Sequence, residues 1–146
     1  MKYTLRNATD TDRSWLEQLR RVVYRELFDT TWGGWDEQRH QRHFMASWSE
    51  GHISIIETEK GDVGMVQVIK RADLITINEI QINPQFQRQG YGSQVLRGIT
   101  GSAETKGLDV VLSLGLKNEG AFRLYKRLGF RETERSDTHI HMKLTN

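Results

Sequence analysis

Two glycines, Gly90 and Gly92, lie in a turn at residues 87–93 that could bind phosphate. An apolar, strand-like run precedes the turn and apolar residues at helical spacing follow it, so the chain is predicted to pass from a strand into a helix. The first turn of a helix leaves about four amides unpaired at the positive end of the helix dipole, and glycine lets a ligand approach the main chain. The turn is therefore typical of a pyrophosphate site, with an ordinary tight turn as the alternative.

This glycine turn matches neither of two common nucleotide-binding patterns. The pair Gly90 and Gly92 lacks the third glycine of the dinucleotide fingerprint, and no Gly-Lys-Ser or Gly-Lys-Thr follows, as a P-loop requires. A phosphate-bearing ligand of another kind is therefore expected.

Four histidines and a serine could bind a metal or attack a substrate. His40 and His43 lie one turn apart on a predicted helix, but no third ligand for zinc is evident, so we expect a surface or stacking role. His139 and His141 share one strand face, and we expect a polar edge strand there rather than a base or a metal pair. Ser93 lacks the histidine and acid that would activate a nucleophile. We therefore predict no metal and no acyl-serine intermediate.

Length and composition restrict the class of protein. The 146 residues are the size of one domain, and we expect a single domain over residues 1–146. A net charge of +2, without a basic patch interleaved with aromatic residues, argues against nucleic-acid binding. No apolar run reaches the roughly 18 residues that span a bilayer, and the first residues lack a secretory signal. With no cysteine, we predict a cytoplasmic protein that binds neither membrane nor nucleic acid.

The apolar periodicity predicts the elements that position these residues. Apolar residues at helical spacing over 15–27, including Val22, indicate a first helix with one buried face, and Asp36 caps a second helix. Residues 110–114 form a short, continuous segment rich in apolar and β-branched residues, as in a strand covered on both faces. The predicted order is β-α-α-β-β-β-α-β-α-β-β, an α/β fold of mixed α+β type.

The loop between the first two helices carries tryptophans and acids. Trp32 and Trp35 flank two glycines, and Asp29, Asp36 and Glu37 are close in sequence. An aromatic face attracts an ammonium group and carboxylates pair with it, so the loop could bind a cationic substrate through Trp32, Trp35 and Asp36. The alternative is that the tryptophans close the end of the core while the acids cap helices.

Two motifs, in this order, resemble those of one protein family. They are Gln87-x-x-Gly90-x-Gly92 and Asn118-x-x-Ala121-x-x-Leu124-Tyr125-x-x-x-Gly129-Phe130. Together with the order of elements, which covers nearly the whole chain, they are similar to the Gcn5-related N-acetyltransferases, or GNAT family. The resemblance implies a mixed sheet, splayed near its centre and flanked by helices. It places acetyl-CoA in the gap between the strand that ends at Asn83 and the strand at residues 109–114.

The resemblance also implies which residues contact the cofactor. The pantetheine arm would pair with main chain near the end of the central strand, as an added strand does, and backbone amides of the glycine turn would bind the pyrophosphate. The implied cofactor residues are Ile80, Gln81, Ile82, Gln87, Arg88, Gln89, Gly90, Tyr91, Gly92, Ser93 and Asn118. Arg88 would add positive charge. For Asn118 an ordinary helix N-cap is the alternative, and the two roles are compatible.

Tyr125 follows Asn118 by seven residues, about two helical turns along one face. In the family, the residue at the position of Tyr125 commonly donates a proton to the departing thiolate. The resemblance therefore implies that Tyr125 is the catalytic acid. A tyrosine packed in the core is the alternative.

Glu79 is the predicted catalytic base. Attack on a thioester needs a neutral amine, whereas an alkylammonium such as lysine has a pKa around 10.4, so a base must remove a proton. Glu79 is the only carboxylate within residues 74–83, on the strand that leads to the glycine turn. It could act directly or through a water molecule. Gln81 shares its face by period-two alternation and could orient substrate, and the alternative for Glu79 is an exposed charge on the strand face.

These residues predict an N-acetyltransferase that moves acetyl from acetyl-CoA to the primary amine of a small molecule, by direct attack in a ternary complex. A protein or peptide amino group is the alternative acceptor, and a non-catalytic acyl-CoA sensor is the alternative class of protein. Acetyl-CoA is the predicted cosubstrate, no metal is expected, and a homodimer is left open.

Overall fold

The helices and strands follow one another along the chain in the predicted order. The computed structural model describes residues 2–31 and 35–146, and the side chains of all of these except 26–31. The helices are α1 (Arg13–Thr31), α2 (Glu37–Glu50), α3 (Tyr91–Lys106) and α4 (Glu119–Arg127). The strands are β1 (Thr4–Asn7), β2 (Ile53–Thr58), β3 (Gly61–Lys70), β4 (Leu74–Ile82), β5 (Asp109–Gly115), β6 (Arg131–Arg135) and β7 (His139–Leu144). The prediction of a mixed α/β fold is therefore confirmed.

The described strands form a mixed sheet in the order β1-β2-β3-β4-β5-β7-β6. β2 pairs antiparallel with β1 and with β3, and β7 pairs antiparallel with β5 and with β6. β4 and β5 are parallel, with residues 74–77 opposite residues 109–112. Parallel neighbours need a long crossover, which α3 provides.

The chain divides into two compact units. The first comprises Met1–Gln67 and Glu79–Gly92, and the second comprises Val68–Asn78 and Ser93–Asn146. β3 and β4 each contribute residues to both units. A single domain over residues 1–146 stays a prediction. None of the described helices is both long enough and apolar enough to cross a membrane.

One buried apolar cluster of the first unit joins α1, α2, β2 and β3. Its buried residues are Leu16, Leu19, Phe44, Ile53, Ile55 and Met65. Val22 is 40% exposed, so its predicted place on the buried face of α1 is wrong. The reason is geometric, because at 3.6 residues per turn Val22 lies on the outer flank of the stripe that Leu16 and Leu19 begin. Arg20, which was not predicted to be buried, continues that stripe.

In the second unit, one face of the strands is buried. The buried residues of β5 and β7 are Val110, Leu112, Leu114, Ile140 and Met142. Between them, Val111 is half-buried and Ser113 is exposed. The prediction that β5 is covered on both faces is therefore wrong, because its side chains alternate between a buried and an open face.

Candidate active site

Two glutamine side chains hold the glycine turn between the end of β4 and the start of α3. Gln87 Nε2 donates a hydrogen bond to the Ile82 carbonyl oxygen at 2.8 Å, and Gln89 Nε2 donates to the Gln85 carbonyl oxygen at 3.2 Å. α3 begins at Tyr91, whose ring is buried. The side-chain amides of these two predicted cofactor residues therefore hydrogen-bond to main chain beside the turn and help to fix its conformation.

The main chain of the turn adopts left-handed angles at two positions. φ is 63° at Arg88 and 91° at Gly90, and a positive φ is uncommon for a residue other than glycine. Left-handed residues contribute to the turn conformations that form anion-binding nests. Arg88 and Gly90 are exposed and directly precede α3, at the positive end of its dipole. The turn therefore combines a left-handed backbone conformation with positive charge, and both favour the binding of an anion.

Among the residues that the structure describes, none packs closely enough against Gly92 to require a glycine there. A Cβ added to Gly92 would meet Ile82 Cγ1 at 3.6 Å, which is an ordinary van der Waals contact. Its φ is not positive either, in contrast to that of Gly90. The missing side chain leaves room for a ligand against the first turn of α3.

Gly64 on β3 shapes the end of β4, although no sequence motif includes it. A Cβ on Gly64 would collide with the Gln81 carbonyl oxygen and would lie 3.1 Å from Ile82 Cα. β3 therefore approaches β4 this closely because residue 64 lacks a side chain. The colliding atoms belong to different strands, so the sequence around Gly64 does not indicate that glycine is required there.

We expect Gly64→Ala to lower the free energy of unfolding by about 1–3 kcal/mol, the usual cost of overpacking. Gly101→Ala is the matched control, because Gly101 lies within α3 and an added Cβ there would meet nothing within 4 Å. Alanine at that position should raise stability by about 0.5–1 kcal/mol. Urea denaturation of both variants measures the difference, and equal changes in stability would contradict the collision.

Glu79 and Gln81 share one face of β4, as predicted. Gln81 Nε2 donates to Glu79 Oε2 at 3.0 Å. Glu79 is half-buried rather than an exposed strand charge. Burial raises the pKa of the Glu79 carboxyl, against the positive charge of Arg20 and the hydrogen bonds of Ser47 and Gln81, which lower it. A raised pKa suits a carboxylate that has to accept a proton near neutral pH.

Tyr125 lies on α4, and Asn118 caps the start of the same helix. The Tyr125 ring is buried, with its centroid 5.9 Å from that of Phe130. Burial raises the pKa of Tyr125 to about 12, so its hydroxyl carries a proton at neutral pH. The Asn118 side-chain oxygen accepts a hydrogen bond from the Ala121 amide at 3.3 Å. The packing and capping roles are thus present, and the chemical roles of both residues remain predictions.

The predicted substrate residues Trp35 and Asp36 lie just before α2, and Trp32 lies outside the described residues. Asp36 caps α2, because its carboxylate accepts a hydrogen bond from a backbone amide at 3.1 Å. Trp35 Nε1 donates to Glu37 Oε1 at 3.1 Å, and Glu37 accepts from Arg21 at 2.6 Å. The Asp36 and Glu37 carboxylates therefore have hydrogen-bond partners within the chain. Cation binding by this segment stays a prediction.

The predicted surface or stacking role is confirmed for both histidines, because His40 is buried and stacks on aromatic rings while His43 is exposed. His40 precedes Phe44 by one helical turn and lies on the same buried stripe of α2. Its ring centroid is 5.2 Å from that of Trp35 and 6.3 Å from that of Phe44. His40 Nδ1 lies 3.0 Å from Arg20 Nη1. Because a guanidinium can only donate, Nδ1 accepts, and the neutral ring carries its hydrogen on Nε2.

Further possible metal ligands, which the sequence pattern did not indicate, lie near His40. Ligand atoms of His40, Glu17 and Glu37 lie within 4.8 Å of one another. Arg21, however, pairs with Glu17 at 2.7 Å and with Glu37 at 2.6 Å. The Arg20 hydrogen bond also keeps the hydrogen on His40 Nε2, the nitrogen 3.9 Å from Glu17. This geometry favours an ion-paired cluster over a metal site.

Ser113, which no sequence motif indicates, meets His141 across β5 and β7. Ser113 and His141 are opposite each other in the register, and Ser113 Oγ lies 2.6 Å from His141 Nδ1. They line a groove of about 390 Å³ on the second unit, with Thr76 and Thr133. The prediction that His139 and His141 lie on an edge strand is wrong, because β7 lies between β5 and β6.

The chain matches a known family over more than half of its length. A family model described as FR47-like protein matches residues 54–138. An uncharacterized N-acetyltransferase of Methanocaldococcus jannaschii is 28% identical over 148 residues, which cover 90% of this chain and 62% of the relative. The ribosomal protein bS18 alanine N-acetyltransferase of Escherichia coli K12 is 27% identical over 94 residues, 63% of this chain and 64% of the relative. This chain thus spans less than two thirds of the length of these curated relatives.

The fold is shared with solved acetyltransferase structures. The PaiA N-acetyltransferase of Thermoplasma acidophilum, solved in complex with coenzyme A, superposes with a TM-score of 0.77 over 100% of both chains, at 14% identity. The chain belongs to the FR47-like family, a domain of the GNAT type. The resemblance drawn from the glycine turn and the Asn118 helix is therefore confirmed.

Proposed function

We propose that this chain transfers the acetyl group of acetyl-CoA to a primary amine. The observation that carries the proposal is the half-buried Glu79 carboxylate on β4, the strand that leads directly into the glycine turn at the start of α3. The proposed base and the proposed anion site therefore lie on one continuous segment of the first unit. Membership of the family and the names of the N-acetyltransferase relatives support the same activity.

The glycine turn is the proposed site of the coenzyme A pyrophosphate. Its support is the pair of left-handed residues, Arg88 and Gly90, and the room beside Gly92. Main-chain amides from Arg88 to Ser93 would donate to the phosphate oxygens, and the Arg88 side chain would add positive charge. The proposed pantetheine contacts are the main chain of Ile80, Gln81 and Ile82 and the side chain of Asn118.

We expect Gly92→Val to weaken coenzyme A binding by about tenfold or more, equivalent to about 1.4 kcal/mol. The new side chain would fill the space in which phosphate approaches the first amides of α3. Gly101→Val is the matched control, since it makes the same change at an exposed position of the same helix. Isothermal titration calorimetry measures both variants. If Gly92→Val and Gly101→Val bound coenzyme A equally well, the pyrophosphate site would lie elsewhere.

Two residues are proposed to move protons. Glu79 accepts a proton from the acceptor ammonium, which leaves a neutral amine to attack the thioester carbonyl carbon. The C–N bond forms, the C–S bond breaks, and the Tyr125 hydroxyl supplies a proton to the departing sulfur. One of the two protons left on the attacking nitrogen restores the tyrosine hydroxyl, the other stays in the amide, and the proton on Glu79 passes to solvent. The products are the acetylated amine, coenzyme A and one released proton.

The acceptor is proposed to be the primary amine of a small cationic molecule. The proposal assigns its binding to Trp32, Trp35 and Asp36, because an aromatic ring and carboxylates attract an ammonium group. A second acceptor class is the terminal amino group of a protein. The observation that favours this class is the 27% identical relative, which is named for the alanine of ribosomal protein bS18.

A panel of acceptors tests the proposed function. Purified protein is incubated with acetyl-CoA, a thiol reagent and, separately, polyamines, small monoamines and peptides that begin with alanine. We expect thiol release that requires the amine, and a product heavier by one acetyl group. Faster release with alanine peptides than with polyamines would favour the protein acceptor. Coenzyme A binding without thiol release for any acceptor would indicate a sensor and contradict the enzyme.

A further inference from the structure

We propose that Arg20 of α1 is a positioning residue for the base, whose buried guanidinium stabilises the ionised form of Glu79 across the small cavity that both residues line. The inference rests on the proposed function of Glu79 and adds a residue to it from a different part of the first unit. Arg20 lies outside both sequence motifs, and its assignment depends on the place of its charge in the folded first unit.

Arg20 and Glu79 line the same small cavity. The cavity has a volume of about 10 Å³, which is about the smallest space that holds one water molecule. Its remaining walls are Leu16, Phe44, Ser47, Ile53, Met65 and Gln81. Arg20 is the one cation of this described lining, so no second basic side chain of the cavity shares its effect on Glu79.

The Arg20 side chain is fixed from two sides. It is only 7% exposed, and its Nη1 lies 3.0 Å from His40 Nδ1. Its Cζ lies 4.9 Å from the centre of the Tyr24 ring, the arrangement of a cation–π contact. The guanidinium is therefore anchored by a neutral acceptor and an aromatic ring, neither of which cancels its charge.

The charge of Arg20 also needs a counter-ion. Among the residues whose side chains the structure describes, no carboxylate lies within ion-pair distance of Arg20, and Arg20 Nε donates to no acceptor. A buried cation is costly unless a charge of opposite sign lies near it. Glu79, on the same cavity, supplies a carboxylate, and a single water would fit between the two groups.

Three groups on three elements lower the pKa of Glu79: Arg20 on α1, Ser47 on α2 and Gln81 on β4. Burial raises the pKa of Glu79, and the charge of Arg20 is the largest effect that opposes it. Burial and the nearby arginines lower the pKa of His40, which therefore adds no further positive charge. If Arg20 were neutral, burial would be opposed only by the two hydrogen bonds, and the pKa of Glu79 would rise.

The test is the titration of Glu79 in Arg20→Met, which keeps a long apolar side chain and removes the charge. The ¹³C resonance of the Glu79 side-chain carboxyl, assigned by its loss in Glu79→Gln, reports protonation directly. We expect its midpoint to rise by about one to three pH units in Arg20→Met, the usual effect of one nearby opposite charge. The acidic limb of the kcat/KM profile should move upward by the same amount.

Further variants sharpen the comparison. Arg20→Lys keeps the cation and should hold the Glu79 midpoint closer to wild type than Arg20→Met does. Arg25→Met removes an exposed arginine of the same helix and should leave the midpoint unchanged. If Arg20→Met does not fold, Arg20→Gln replaces it, because its amide can still donate to His40 Nδ1. An unchanged Glu79 midpoint in the folded neutral variant would overturn the inference.

The resonance titration separates this inference from the proposed function. A wild-type protein that transfers acetyl, but whose Glu79 titrates independently of residue 20, would overturn the role of Arg20 alone. A wild-type protein that transfers acetyl to no amine would overturn the proposed function, and with it the role of Arg20 as a positioning residue for a base.

Discussion

Tyr125→Phe should lower kcat by about 10²–10⁴-fold, the range for loss of a general acid. The substitution keeps an aromatic ring beside Phe130 and removes only the hydroxyl that would protonate the departing sulfur. Because burial raises the pKa of Tyr125 to about 12, the wild-type hydroxyl is protonated throughout the neutral range. The loss of rate should therefore be nearly the same at every pH in that range, as measured by thiol release.

The interpretation of Tyr125→Phe depends on two controls. Coenzyme A affinity should be unchanged, because the ring and its packing are retained. Tyr3→Phe, which removes a hydroxyl from a half-buried tyrosine near the other end of the chain, should leave kcat unchanged. Full activity in Tyr125→Phe would mean that the residue only packs in the core.

Glu79→Gln should lower the rate at neutral pH by about 10²–10⁴-fold while coenzyme A still binds. The amide has the size of the carboxylate but cannot accept a proton from the acceptor ammonium. The acidic limb of the wild-type kcat/KM profile, which reports groups of the free reactants, should flatten or move in the variant. A profile and rate that match wild type would show that the proton leaves through solvent or through another residue, with His139 and His141 the next to test.

Although Glu79→Gln should lower the rate, it should not lower the stability of the folded protein. Since burial raises the pKa of Glu79, the folded protein holds this proton more tightly than the unfolded chain does. Stability from this group therefore declines as pH rises from the unfolded value of about 4.3 through the folded pKa. At neutral pH the buried carboxylate costs stability, so Glu79→Gln should melt no lower than wild type. A lower melting temperature at neutral pH would contradict this sign.

Local patterns in the sequence predicted those parts of the site that local geometry controls. Period-two alternation on β4 placed Glu79 and Gln81 on one face, and the structure shows the hydrogen bond between them. Residue types that favour helix starts predicted the caps at Asp36 and Asn118. In each case the interacting groups are within three residues of one another, so the contact could be predicted without knowledge of strand register or helix packing.

Contacts between distant elements could not be predicted from these patterns. The requirement for glycine at residue 64 comes from the Gln81 carbonyl on another strand. The pairing of Ser113 with His141 depends on the register between β5 and β7. The sequence indicated the burial of Arg20 only weakly. Arg20 follows Leu16 by one helical turn, but an arginine on an apolar stripe is normally expected to extend to solvent.

Acetyl transfer by this chain is tested most directly with acetyl-CoA that carries ¹³C at the acetyl carbonyl. The wild-type protein is incubated with this donor and the best amine of the panel, and the carbonyl resonance is followed over time. We predict that the thioester signal is replaced by an amide signal, with one free thiol for each amide formed. A thioester signal that persists, or that becomes free acetate at the same rate with and without amine, would contradict the proposed activity.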